Sequence, residues 1–95
     1  MKYLKTHIFS TAAILKAVGH PIRVQIIIAL SQNLSMTVTE LSDFLSIDQP
    51  IMSLHLAILR KKDIIKVKKE GKQSIYAIQD ISIKQIVNIT YNTRI

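Results

Sequence analysis

SIDQPIMSLHLAILRKKD, residues 46–63, decides how the rest of the chain is read. Ile47-Asp48-Gln49 has the make-up of a tight turn. Asp48 is of the type that caps a helix, and Pro50 is tolerated in a first turn, where its missing N–H would have no helical partner. Met52, Leu56 and Leu59 then fall at i, i+4 and i+7, the core-facing stripe of a helix that runs to Lys62. The other side is unusual. Ile51, Leu54 and Ala57 stand where a helix of this kind usually carries polar groups, and the first basic residue, Arg60, comes near its end. A helix that is apolar all round is ordinarily buried, so the second face asks for a neighbour or a ligand.

Upstream, Thr37 and Glu40 have capping-box spacing, and Val38, Leu41, Phe44 and Leu45 follow on one side of a short helix. Gln32–Met36 reads as a polar loop. Before it, Pro21 suits the first turn of a helix over Ile22–Ser31, whose Val24, Ile26, Ile27, Ile28 and Leu30 predict a central, buried element. Residues 4–18 place Leu4, Ile8, Thr11 or Ala12, and Leu15 on one helical face. Downstream the period changes to two. Ile65 and Val67 alternate with Lys66 and Lys68, Ile75–Ile78 makes another strand, and Gly71 supplies the positive φ of a tight hairpin. Ile83, Ile86, Val87 and Thr90 restore helical spacing. The predicted fold is mainly α (α+β): a winged helix-turn-helix of about five helices with a two-stranded β-hairpin wing, as one domain over residues 1–95.

Charge is concentrated. The net value is +7, yet seven of the 13 basic residues lie within residues 60–72, while residues 36–59 carry three acids and no base. A local basic patch points to a polyanion, most often nucleic acid, although a solvated lysine-rich hairpin has the same composition. Cysteine is absent, which removes disulfides, thiolate metal sites and thiol redox chemistry, and is compatible with the cytoplasm, where the reading places the chain. Lys2 and Lys5 ahead of Ile8–Leu15 have the outline of a signal peptide, but the apolar run is short, includes Ser10 and Thr11, and is closed by Lys16. No stretch has the length of a transmembrane helix. No acid–base pair, nucleophile elbow or phosphate loop is visible, so no enzyme activity and no catalytic residue is expected.

Taken in order, LKAVGHPIR (15–23) and TVTELSDFLSIDQPIMSLHLAILRKKDIIKVKKEGKQSIYAI (37–78) resemble the ArsR/SmtB group of bacterial winged-helix repressors. The most specific pieces are Pro21 with Arg23, the Ser53-x-His55-Leu56-x-x-Leu59-Arg60 run, and the Glu70-Gly71-Lys72 turn with Tyr76. The resemblance implies a homodimer joined through its first and last helices, and a recognition helix in the major groove. The chain departs from the pattern in its sensing residues. Ser42 and Phe44 stand where thiophilic-metal sensors carry cysteines; no histidine follows His55, and Asp80 is the only acid after Glu70. No metal site and no cofactor is therefore expected. A signal releasing DNA would have to be an apolar ligand at the dimer interface, a protein partner or protein abundance; its identity is unknown.

From these residues follows a set of expected sites. Base contacts fall to Gln49, Pro50, Ile51, Ser53, Leu54 and His55, with Gln49 suited to adenine and Ile51 and Leu54 to thymine methyls. Phosphate contacts fall to Arg60, Lys61, Lys62, Lys66, Lys68, Lys69 and Lys72. The dimer interface is expected from Leu4, Ile8, Thr11, Leu15, Ile83, Ile86, Val87 and Thr90. The expected function is a dimeric DNA-binding repressor on an imperfect, A·T-rich inverted repeat. The alternative is a winged-helix interaction module that docks a protein on the Ile51/Leu54/Ile58 face. Exposure of Ile51 and Leu54 keeps both alive; burial would remove the base contacts.

Overall fold

The computed structural model describes the backbone of residues 2–94 and the side chains of residues 4–94. The elements are α1 (Lys2–Val18), α2 (Pro21–Gln32), β1 (Met36–Thr37), α3 (Val38–Leu45), α4 (Gln49–Lys61), β2 (Ile65–Glu70), β3 (Gln73–Ile78) and α5 (Ile81–Asn92). The order is the predicted one, with one addition. The hairpin is extended to a three-stranded antiparallel sheet, β1-β3-β2, by the pairing of Met36 with Tyr76 and Thr37 with Ile75. A two-residue strand has no periodicity to read, which is why the sequence shows only a loop there.

Several helix ends have a local cause. His20 caps α2 by accepting the Ile22 N–H on its Nδ1 at 3.1 Å, and Pro21 stands in the first turn. Thr37 and Glu40 form the full capping box on α3, at 3.1 and 2.8 Å. Asp48 holds the N-cap position of α4 but makes no side-chain cap bond, contrary to expectation. At the other end of α4, Asp63 adopts a left-handed conformation (φ 57°); its N–H bonds the Arg60 carbonyl, and the Ile64 N–H bonds the Leu59 carbonyl. This pairing satisfies carbonyls that a helix end leaves open, and it turns the chain so that fully buried Ile64 anchors the start of the wing.

The core gathers Ile26, Ile27, Leu41, Met52, Leu56, Leu59, Ile64 and Ile65 at full burial, so α2 is central as predicted. Full burial of each such side chain contributes about 1.5–3 kcal/mol. The helix α5 docks on α2 with Ile83 and Val87 in the same core, and Asn88 donates to the Ser31 hydroxyl at 2.9 Å. This corrects the expected dimer set: Ile83 (5% exposed) and Val87 (6%) are spent on the chain's own core. Phe44 is a second correction, since it faces solvent rather than the core side of α3. α1 and α2 meet at an 88° bend, and no single helix among the described residues is long and apolar enough to cross a membrane.

Candidate nucleic-acid interface

The helix-turn-helix is α3, a three-residue turn and α4. Ser46 closes α3 in a left-handed conformation (φ 55°), and the Ser46 and Ile47 N–H groups both bond the Ser42 carbonyl. The two helices are also joined by side chains: Gln49 Nε2 donates to Thr39 Oγ1 at 3.1 Å. The amide of Gln49 is thus held in place at the exposed start of α4, an arrangement with no sequence signature.

With Met52, Leu56 and Leu59 buried, the far side of α4 is fixed by helical geometry. Pro50, Leu54, Ala57 and Lys61, spaced i, i+4, i+7 and i+11, form that side, and all are exposed. Ile51 and Leu54 are 45% and 62% exposed, and Gln49 and Ser53 are exposed beside them. Ile58 is half-buried and packs against the core, so it is not part of a free face.

His55 does not join this surface. It is 8% exposed and points toward α2, where its ring lies 4.5 Å from that of His20. Arg23 Nη1 donates to His55 Nδ1 at 3.4 Å. Arginine has no acceptor, so His55 Nδ1 is the accepting atom of this bond. Burial first, then the His20 and Arg23 charges, hold the His55 pKa below its ordinary value. The expected base contact by His55 is withdrawn: its position on the inner side of α4 makes it a link between α4 and α2.

Arg60, Lys61, Lys62, Lys66, Lys68, Lys69 and Lys72 are all exposed. Arg60 and Lys61 sit in the last turn of α4, where cations are favoured by the helix dipole. On the wing, the register pairs Val67 with Tyr76 and Lys68 with Ile75, and Gly71 takes φ +60° at the turn. Ile65 is buried and Val67 half-buried, so Lys66 and Lys68 alternate outward. Lys68 Nζ lies 3.1 Å from Glu70 Oε1, an exposed pair that partly neutralises one cation of the set. Among the described residues, no group of three or more metal-ligating side chains converges.

A second apolar surface lies on the terminal helices. Leu4, His7, Ile8, Thr11, Ala12 and Leu15 line a shallow groove of about 390 Å³ on α1. Val18, Val24, Ile86, Val87, Thr90, Tyr91 and Arg94 line another of about 310 Å³ where α5 meets α1 and α2. Leu4, Ile8, Thr11, Leu15, Ile86 and Thr90 are exposed as the expected dimer set requires. Ile89, 64% exposed, belongs to the same bare side of α5 and was not singled out by spacing.

The geometry has counterparts. The model of the bacterial regulatory protein arsR family matches residues 20–67, which span α2, the helix-turn-helix and the start of the wing. An uncharacterized HTH-type transcriptional regulator of Methanocaldococcus jannaschii is 42% identical over 78 residues, covering 82% of this chain and 88% of that protein. The biofilm growth-associated repressor of Xylella fastidiosa is 31% identical over 80 residues, covering 84% of this chain and 69% of the repressor. The structure of reduced HlyU from Vibrio cholerae superposes with a TM-score of 0.86 at 26% identity, over 98% of this chain and 97% of HlyU.

Proposed function

This chain belongs to the arsR family of bacterial regulatory proteins and is a DNA-binding transcriptional regulator, and we propose that it acts as a homodimeric repressor on an imperfect inverted repeat. One observation carries the reading: α4 presents a bare outward face that runs directly into Arg60, Lys61 and Lys62, while its inner face is wholly buried. In this reading α4 lies in the major groove, the wing lysines follow the phosphate backbone, and the site is biased toward A·T pairs. The name of the Xylella relative supports the repressor role.

Dimerisation is proposed through α1 and α5. Their exposed apolar side chains flank shallow grooves that no part of the described chain covers. Two copies related by a two-fold axis would bury these faces together and set two α4 helices about one DNA turn apart. Supply of the second half-site by the partner would then raise affinity without new kinds of contact. No catalytic role is proposed: the family consists of regulators.

The test is selection of bound duplexes from a random pool, with the stoichiometry of the enriched complex measured by sedimentation. The reading expects half-sites with centres about 10 base pairs apart, bound by two chains. A single half-site bound by one chain, or no enrichment, would remove it.

A further inference from the structure

The outward face of α4 has almost nothing with which to hydrogen-bond a base. His55 is turned inward, and one of the two Gln49 amide N–H groups is engaged by Thr39. The Ser53 hydroxyl, the Gln49 carbonyl oxygen and the second Gln49 N–H are the polar groups left near the start of the helix. Between them and Lys61 stand Pro50, Ile51, Leu54 and Ala57, whose side chains neither donate nor accept. Pressing such a surface onto the floor of the major groove would strip water from base edges without replacing their hydrogen bonds. That floor has one apolar group, the C5-methyl of thymine. The cations that continue from the patch, Arg60, Lys61 and Lys62, match a ligand whose apolar features are framed by phosphates.

Resting on the reading of α4 as the groove helix, we propose that this helix reads C5-methyl groups, with Leu54 and Ile51 as the specificity-determining residues. The ligand class is a duplex whose half-sites present pyrimidine methyls to these side chains, and the methyl of 5-methylcytosine serves in place of that of thymine. Gln49 and Ser53 then set register at one edge of each half-site, and the methyl row supplies the rest.

The probe is the duplex enriched from a random pool, resynthesised with deoxyuridine at each thymine in turn. Each contacted methyl should be worth about fourfold in Kd, the fold-change equivalent to one buried methylene. Thymines outside the contact should be silent. Leu54→Ala should bind thymine and deoxyuridine alike at the positions Leu54 covers; Leu54 is exposed, so the variant is expected to fold, and a melt checks this. At those positions a cytosine duplex should bind better by about fourfold once the cytosine is methylated at C5. If every deoxyuridine duplex binds within twofold of its parent, the methyl proposal fails, while DNA binding itself stands. If no duplex is enriched, and the face instead takes up a protein, the groove-helix reading fails and the proposal with it.

Discussion

The bare apolar faces of α1 with α5 and of α4, among the described residues, differ in company rather than in composition. On α1 and α5, Leu4, Ile8, Leu15 and Ile86 line shallow grooves of about 390 and 310 Å³, and Ile89 is exposed on α5. On α4, Ile51 and Leu54 stand out from one helix whose last turn is Arg60 and Lys61. A groove of aliphatic side chains suits another helix; a ridge that ends in cations suits a groove edged with anions. In the proposed reading, exposed hydrophobicity marks a partner, and the neighbouring charge and shape say which kind.

The largest effect that would break this contrast lies on the terminal surface. Ile8→Glu with Leu15→Glu should leave a folded monomer by sedimentation and lower affinity for the inverted repeat by about 10²–10⁴-fold, the avidity a second site supplies. Unchanged stoichiometry would place the dimer elsewhere.

Next comes a comparison within α4. Leu56→Ala should destabilise the fold by about 2–5 kcal/mol in denaturant melts, because Leu56 is fully buried. Leu54→Ala, two positions away, should change stability by no more than about 0.5 kcal/mol, because that side chain faces solvent. Equal losses would mean that the outer face is packed within the protomer.

Gln49→Ala should cost about 1–3 kcal/mol at the preferred duplex and little at random DNA. Thr39→Val, which removes the acceptor that holds the Gln49 amide, should cost less and in the same direction. A uniform loss on all duplexes would reassign Gln49 to the backbone.

The smallest expected effect concerns pH. The folded-state pKa of His55 lies below the ordinary 6.5, chiefly through burial. Above 6.5 the ring is neutral folded and unfolded, and its contribution is fully present. As pH falls below 6.5 the unfolded chain takes up the proton first, so stability drops until the folded ring is protonated as well. Thermal melts between pH 7.5 and 5 should therefore slope more steeply for the wild type than for His55→Gln. Parallel curves would show that the His20–His55–Arg23 contact does not resist protonation.

Much of this was legible in the sequence because periodicity separates faces. The i, i+4, i+7 stripe of Met52, Leu56 and Leu59 needs no structure to be recognised as core, and the Thr37–Glu40 box and the Gly71 turn carry their own chemistry. The failures occur where more than one face is apolar. In α5, Ile83, Ile86, Val87 and Ile89 cover several faces, so spacing could not say that Ile83 and Val87 turn inward while Ile86 and Ile89 stay bare. His55 was misplaced for a different reason: a polar side chain on the helix after the turn suggests an outward direction, and only the fold shows that Arg23 and His20 await it inside. Asp48 has the right identity for a cap, but identity does not fix the rotamer.

In the proposed complex the wing and α4 touch DNA together, and salt reads that contact. Binding isotherms over a range of salt compare the wild type with a Lys66→Ala, Lys69→Ala, Lys72→Ala variant, in which Lys68 is kept because Glu70 already pairs it. Each phosphate contact contributes about 0.9 to the slope of log K against log salt, so six lysines in a homodimer should flatten it by up to about five units. The preference for the selected duplex over random DNA should survive, since phosphates carry no sequence. Wild-type slope and affinity in the triple variant would contradict the account, because the wing would then lie off the DNA.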